Sequence, residues 1–182
     1  MTAAVRHDVS LLTDHDIYLF RQGSHVRLYE KLGAHPLSME GRSGTLFEVW
    51  APNAESVSVI GDFNGWRRDR HPLRPRSDGS GIWEGFVPGV GHGNCYKYHL
   101  RSRYHGYAVD KGDPFARRWE QPPQTSSMVW DLTYTWGDAE WIASRAPRNA
   151  LDAPLSIYEL HLGSWRRDPR EEWRILNYRE LA

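Results

Sequence analysis

"TLFEVWAPNAESVSVIGDFNGW", residues 45–66, decides how this chain folds. In its first half Leu46 and Glu48 alternate with Phe47 and Val49, and in its second Val57, Val59 and Phe63 fall on one parity with Gly61. A period of two marks a strand with one face on a core. Pro52-Asn53 supplies the turn between the halves, and Asn64-Gly65 closes the second strand. Trp66 comes straight after that turn, where no alternation calls for an indole.

Working outward, further strands are expected at "IWEGFV" (82–87), "YKYHLRS" (96–102), "YAVD" (107–110) and "SMVWDL" (127–132). The stretches between them, "SDGSG", "PGVGHGN" and "KGDPFARRWEQPPQ", are rich in turn formers. Short strands separated by such turns predict an all-β domain, an immunoglobulin-like antiparallel sandwich over residues 40–136. Residues 1–39 read as a helical segment of two short pieces docked on it. Thr13 or Asp14 caps the first, Ile17 and Phe20 share a face, and the second runs from Ser24 to Leu32 with Val26 and Tyr29 on neighbouring turns.

Residues 137–154 lose the alternation and read as a linker. In "LSIYELHL" (155–162), Leu155, Ile157, Leu160 and Leu162 fall on both parities, as in a strand buried on two faces. Asn177 and Glu180 then stand at capping-box spacing. Residues 155–182 thus predict the first βα step of a parallel barrel whose other strands lie elsewhere, and the chain is expected to be the N-terminal fragment of a longer protein.

With 23 basic and 23 acidic residues the formal net charge is zero, so no global attraction to nucleic acid or an anionic membrane is implied. A single cysteine, Cys95, excludes an intrachain disulfide framework. The charged N-terminal sequence lacks a secretory apolar core, and no apolar run reaches the ~20 residues of a membrane span, so a cytoplasmic location is expected. Metal-ligand pairs at helical spacing, phosphate-binding loops and nucleophile elbows are missing, so no cofactor and no metal are expected. The arginine clusters at 67–70, 116–118 and 165–174 alternate with acids and read as surface salt links.

Parity in "YKYHL" sends Tyr96, Tyr98 and Leu100 inward and Lys97 and His99 outward. An outward lysine beside an indole suits a sugar: the indole covers a pyranose C–H face while the ammonium donates to hydroxyls. Taken alone, each reads first as an ordinary surface lysine and a partly buried tryptophan. Trp83 alternates with Val87 and is assigned to packing. Glu159 and His161 share a face, but no second acid pairs with Glu159 for glycoside chemistry.

"FEVWAPNAESVSVIGDFNGW", "IWEGFVPGV", "YKYHL" and "DPFA" together resemble the glycogen-binding, isoamylase N-terminal type of carbohydrate-binding module, over about residues 40–135. "YEKLGAHP" before it and "SIYELHLGSWRR" after it resemble the bacterial 1,4-α-glucan branching enzyme family. The resemblance implies a full-length retaining transferase of glycogen biosynthesis, which passes an α-1,4-glucan segment to a 6-hydroxyl. Its catalytic residues would lie beyond Ala182, so none is assigned here and this chain alone is expected to be inactive. By the same resemblance, Trp66 matches a stacking residue, Lys97 a hydroxyl donor and, loosely, Tyr107 a second stacking aromatic. A later asparagine contact has no counterpart near "SSMVWD". The implied partners are α-1,4-glucans (glycogen, amylose, maltooligosaccharides) and the catalytic barrel in cis. Two alternatives are the same module in a debranching or trehalose-releasing hydrolase, and a non-catalytic glycogen-targeting protein.

Overall fold

The structure, a computed structural model, describes residues 4–182. The first three residues of the expected helical segment lie outside the described residues. Two compact units divide the chain, Met1–Thr133 and Tyr134–Ala182.

Helix α1 (Asp14–Arg21) starts at a reciprocal cap, in which Thr13 Oγ1 accepts from the Asp16 amide at 3.2 Å and the Asp16 carboxylate accepts from the Thr13 amide at 2.8 Å. The second expected helix is a correction. Only one 3-10 turn forms, at Leu28–Glu30, with no side-chain cap, and Val26 and Tyr29 stay exposed. Gly23 and Gly33 bound this stretch with left-handed backbone, which leaves too few residues for a stable nucleus. Strand β1 (Gly33–Met39) follows inside the stretch expected to be helical. Its Pro36 is tolerated because β1 is an edge strand.

The remaining strands of this unit are β2 (Arg42–Trp50), β3 (Ala54–Gly61), β4 (Arg74–Pro75), β5 (Ile82–Pro88), β6 (Cys95–Ser102), β7 (Ala108–Lys111), β8 (Arg118–Trp119) and β9 (Ser127–Met128). They form two antiparallel sheets, one ordered β1-β2-β5-β4 and the other β3-β6-β9-β8 with β7 also paired to β6. This is the expected immunoglobulin-like sandwich. Its core takes Phe47, Val49, Trp83 and Val87 from the first sheet and Val57, Val59, Tyr96 and Tyr98 from the second. Trp83 is a packing residue, as expected, and its indole N–H donates to the Ala51 carbonyl at 3.1 Å.

The motif "DPFA" anchors that core. Asp113 is fully buried, and its Oδ2 accepts from the Tyr96 hydroxyl at 2.7 Å and the Tyr98 hydroxyl at 3.1 Å. Burial pushes the Asp113 carboxyl up, against hydrogen bonds from Tyr96, the Phe115 amide and Tyr98 that favour its charged form.

The outer face of the first sheet is buried too. Leu46 and Phe86 pack with Val9, and Ile82 packs with Leu12, Ile17 and Leu32, so the N-terminal segment covers this face. Each such large side chain contributes about 1.5–3 kcal/mol on burial. Covering the face traps Glu48 opposite Glu84 on the neighbouring strand. Glu84 pairs with Arg76 at 3.0 Å, whereas burial, and then the charge of Glu84, push Glu48 up to about 8.

In the second unit, the stretch read as a linker contains helix α2 (Ala139–Arg148). Ala139, Glu140, Ala143 and Arg145 are good helix formers, and Pro147 falls in its last turn. "GSW" lies in a short helix α3 (Leu162–Trp165), followed by a hairpin of β10 (Arg167–Asp168) and β11 (Arg174–Ile175) and by α4 (Tyr178–Leu181). Asn177 and Glu180 form the expected capping box. At 155–162, expected as a two-sided strand whose neighbours lie elsewhere, residues 155–161 have no ladder partner and Leu155 and Ile157 are exposed. A strand without a neighbour leaves its backbone groups to water.

Candidate functional site

The outer face of the second sheet carries the candidate site. Register puts Ile60 opposite Lys97, Ser58 opposite His99, and His99 opposite Asp110, all on the side away from the core tyrosines. What places Trp66 there is the turn after β3. A 3-10 turn at Asp62–Asn64 is followed by Gly65 and Trp66, both in the left-handed region, and the Trp66 amide donates back to the Gly61 carbonyl at 2.9 Å. Asn64 fixes the turn from inside. Its Oδ1 accepts from the Gly61 amide at 3.0 Å, and its amide group donates to the Val59 carbonyl at 3.0 Å and to His71 Nδ1 at 2.9 Å. Gly61 has no room for a side chain, because a Cβ would lie 2.3 Å from the Cys95 carbonyl oxygen. Phe63 packs on the core as expected, but from the 3-10 turn and not as a strand residue.

Beyond Trp66 the chain curls across the sheet face, where the Ser58 hydroxyl donates to the Arg68 carbonyl at 2.9 Å. A groove of about 680 Å³ results, lined by Ile60, Trp66, Arg67, Arg68, Asp69, Lys97, Asp110 and Ser126. Trp66 is 40% exposed, which leaves part of the indole open to a ligand. Lys97 donates one hydrogen bond, to Thr125 Oγ1 at 2.8 Å, and an ammonium has three to give. Asp110 accepts a bidentate pair from Arg68, at 3.2 and 2.8 Å, and pairs with His99 Nδ1 at 2.7 Å. Partial burial raises the Asp110 carboxyl, but the hydrogen bonds from Arg68 and His99 prevail and hold it below its usual range. The groove therefore offers an aromatic face, a cationic donor and a fixed anionic acceptor.

The structure thus brings Trp66 and Lys97 together and keeps Tyr107 apart. Tyr107 lines a different cavity, of about 340 Å³, with Pro52, Asn53, Leu100 and Val109 among its walls. Glu159 and His161 belong to the second unit, where His161 Nδ1 pairs with the Ser164 hydroxyl at 2.8 Å. Asp110 was not among the residues singled out from the sequence, and Arg68 was read only as a surface salt link. The signal was present in the alternation of "YAVD", which sends Asp110 to the same face as His99 once β6 and β7 pair. Arg67 and Arg68 do form the expected salt links, with Asp69 at 2.7 Å and Asp110 at 2.8 Å. Among the described residues, no group of three or more His, Cys, Asp or Glu is placed to hold a metal ion, and no helix is long and apolar enough to cross a membrane.

Comparison with known proteins shows what this chain is similar to. Residues 31–116 match the model of carbohydrate-binding module 48, the isoamylase N-terminal domain. The 1,4-alpha-glucan branching enzyme GlgB of Albidiferax ferrireducens is 55% identical over 170 residues, which cover 93% of this chain and 26% of that enzyme. That of Aromatoleum aromaticum is 54% identical over 182 residues, covering 100% of this chain and 27% of the relative. The chain spans about a quarter of the length of these curated relatives. Among solved structures, apo pullulanase from Klebsiella pneumoniae superposes with a TM-score of 0.46 at 26% identity, over 58% of this chain and 11% of that one. Residues 31–116 are therefore similar to carbohydrate-binding module 48, in a chain similar to the N-terminal part of 1,4-alpha-glucan branching enzymes.

Proposed function

We propose that this chain is the glucan-holding portion of a 1,4-α-glucan branching enzyme. The whole enzyme transfers an α-1,4-linked segment to a 6-hydroxyl, and the groove on the second sheet keeps an α-glucan near that chemistry. The observation that carries the reading is that Trp66 and Lys97 line one groove. A pyranose stacked on the indole presents its hydroxyls edge-on, where Lys97 donates and Asp110 accepts. Tyr107 is a contact for a chain long enough to leave the groove and cross to the second cavity. With one stack and one charged hydrogen bond, affinity is expected at about the millimolar to high-micromolar level. The resemblance puts the catalytic residues in a barrel outside these 182 residues, so this chain alone should leave amylose–iodine absorbance unchanged.

Lysine footprinting tests the reading. The sequence has three lysines, Lys31, Lys97 and Lys111, of which Lys31 lines neither cavity and supplies the internal control. Acetylation read by peptide mass spectrometry should fall at Lys97 when maltoheptaose is in excess, while Lys31 labels as before. Unchanged labelling of Lys97 at saturating maltoheptaose counts against the groove as the glucan site.

A further inference from the structure

Beside the groove lies a second cavity, of about 400 Å³, lined by Ala4, Val5, His7, Asp69, Arg70, His71, Pro72 and Arg74. Its chemistry is different. Arg70 and Arg74 have no hydrogen-bonded or ion-pair partner for their guanidinium groups among the described residues, whereas the two other guanidinium groups of the loop, those of Arg67 and Arg68, are taken up by Asp69 at 2.7 Å and Asp110 at 2.8 Å. Asp69 is thereby the one carboxylate of the lining, and its charge is already matched. The imidazole of His7 adds a buried Nδ1 with no hydrogen-bond partner.

Held backbone carries these side chains. The Val59 amide donates to the His71 carbonyl at 3.0 Å and the Leu73 amide to the Val57 carbonyl at 2.9 Å, which ties the 67–73 loop to β3. Arg74 then enters β4, opposite Glu84, while Arg6 pairs with Phe86 further along the same β5 strand through two 2.8 Å hydrogen bonds. His7 and Arg74 are therefore brought to one edge of β5. Burial, and then the Arg74 charge, lower the His7 imidazole, against the Glu84 carbonyl, Asp8 and the Glu84 carboxylate, which raise it. An anion in the cavity would reverse that balance and draw a proton onto the free Nδ1.

We propose that Arg70 and Arg74, with His7, form a binding site for a phosphoryl group, either as free phosphate or as a sugar phosphomonoester. Two unpaired guanidinium groups with a protonatable imidazole are the donors that a tetrahedral dianion requires. Because Asp69 lines both cavities, a phosphorylated sugar could span them, its ring toward Trp66 and its phosphoryl group on the arginines. The site itself does not depend on the groove binding glucan.

The test is calorimetric titration of the full 182-residue chain with inorganic phosphate, glucose 6-phosphate and glucose at low ionic strength, comparing the parent with R70Q/R74Q. R101Q, whose arginine pairs with Glu55, serves as the charge control, and urea midpoints establish that the variants are folded. The parent and R101Q should bind phosphate saturably, the double variant at least about tenfold more weakly, and the His7 ring resonances should shift as for protonation. Equal affinity for phosphate and glucose 6-phosphate identifies the phosphoryl group alone as the ligand. Tighter binding of the sugar phosphate, with the excess lost in Trp66→Ala, identifies a ligand across both cavities. Equal phosphate binding by the parent and R70Q/R74Q, or no saturable phosphate binding, overturns the proposal whatever maltoheptaose does.

Discussion

Replacing Glu48 by glutamine should flatten the pH dependence of this domain's stability. Glu48 lies beneath the N-terminal segment with Oε2 unpartnered, and its other oxygen receives only long contacts, 3.4 Å each, from the Ser10 hydroxyl and the Leu11 amide. Its neighbour Glu84 is engaged by Ser10 at 2.7 Å and by Arg76 at 3.0 Å. The unpartnered oxygen is therefore where the proton of a neutral Glu48 resides. With the carboxyl raised from 4.5 to about 8, the folded protein holds a proton that the unfolded chain gives up. Stability is accordingly full below pH 4.5 and is lost as pH rises through about 8. One proton corresponds to about 1.4 kcal/mol per pH unit, so the parent loses at most about 4 kcal/mol between pH 5 and pH 8. Glutamine keeps the shape and supplies a permanent N–H donor toward Glu84. Urea unfolding of both proteins across this range, taken as a difference, cancels the groups that they share. The difference should grow in favour of Glu48→Gln as pH rises, and parallel profiles would refute the buried, neutral carboxyl.

Three further perturbations follow from single interactions. Asp113→Ala removes the acceptor of two buried tyrosine hydroxyls and should cost about 3–5 kcal/mol in a thermal or urea melt, with Asp113→Asn recovering part of it. Thr13→Ala removes the α1 cap and should cost about 1 kcal/mol, with faster hydrogen exchange confined to that helix. Gly61→Ala meets backbone, not a yielding side chain, so it should lower the melting temperature far more than Gly65→Ala, where a Cβ meets nothing within 4 Å although φ is +62°.

Alternation made the sandwich legible, because a strand buried on one face writes its period into the sequence. The inward tyrosines, outward Lys97 and structural Trp83 all follow from that period. The outer cover of the first sheet was less legible. Leu46 and Glu48 have the parity of a solvent face, and nothing local announces that Val9, Leu12 and Ile17 lie over it. Strand β1 begins just past Leu32, where the second helix was expected to end, and it went unrecognised because its edge position, which excuses Pro36, is a tertiary fact. At the groove, Trp66 and Lys97 could be named from composition and resemblance, but their adjacency depends on the 3-10 turn and on Asn64, and a turn motif does not state where its exit points. Tyr107 shows the converse: a loose resemblance suggested a shared site, and the hairpin places it in another cavity.

The central claim is that Trp66 makes the outer face of the second sheet a platform for α-glucan. Calorimetric titration of the parent and Trp66→Ala with maltoheptaose addresses it most directly, with urea midpoints showing that both are folded. Loss of one sugar stack is worth about 1–2 kcal/mol, so the variant should bind about tenfold more weakly or below detection. Equal binding by parent and variant, or none by either, would contradict the claim.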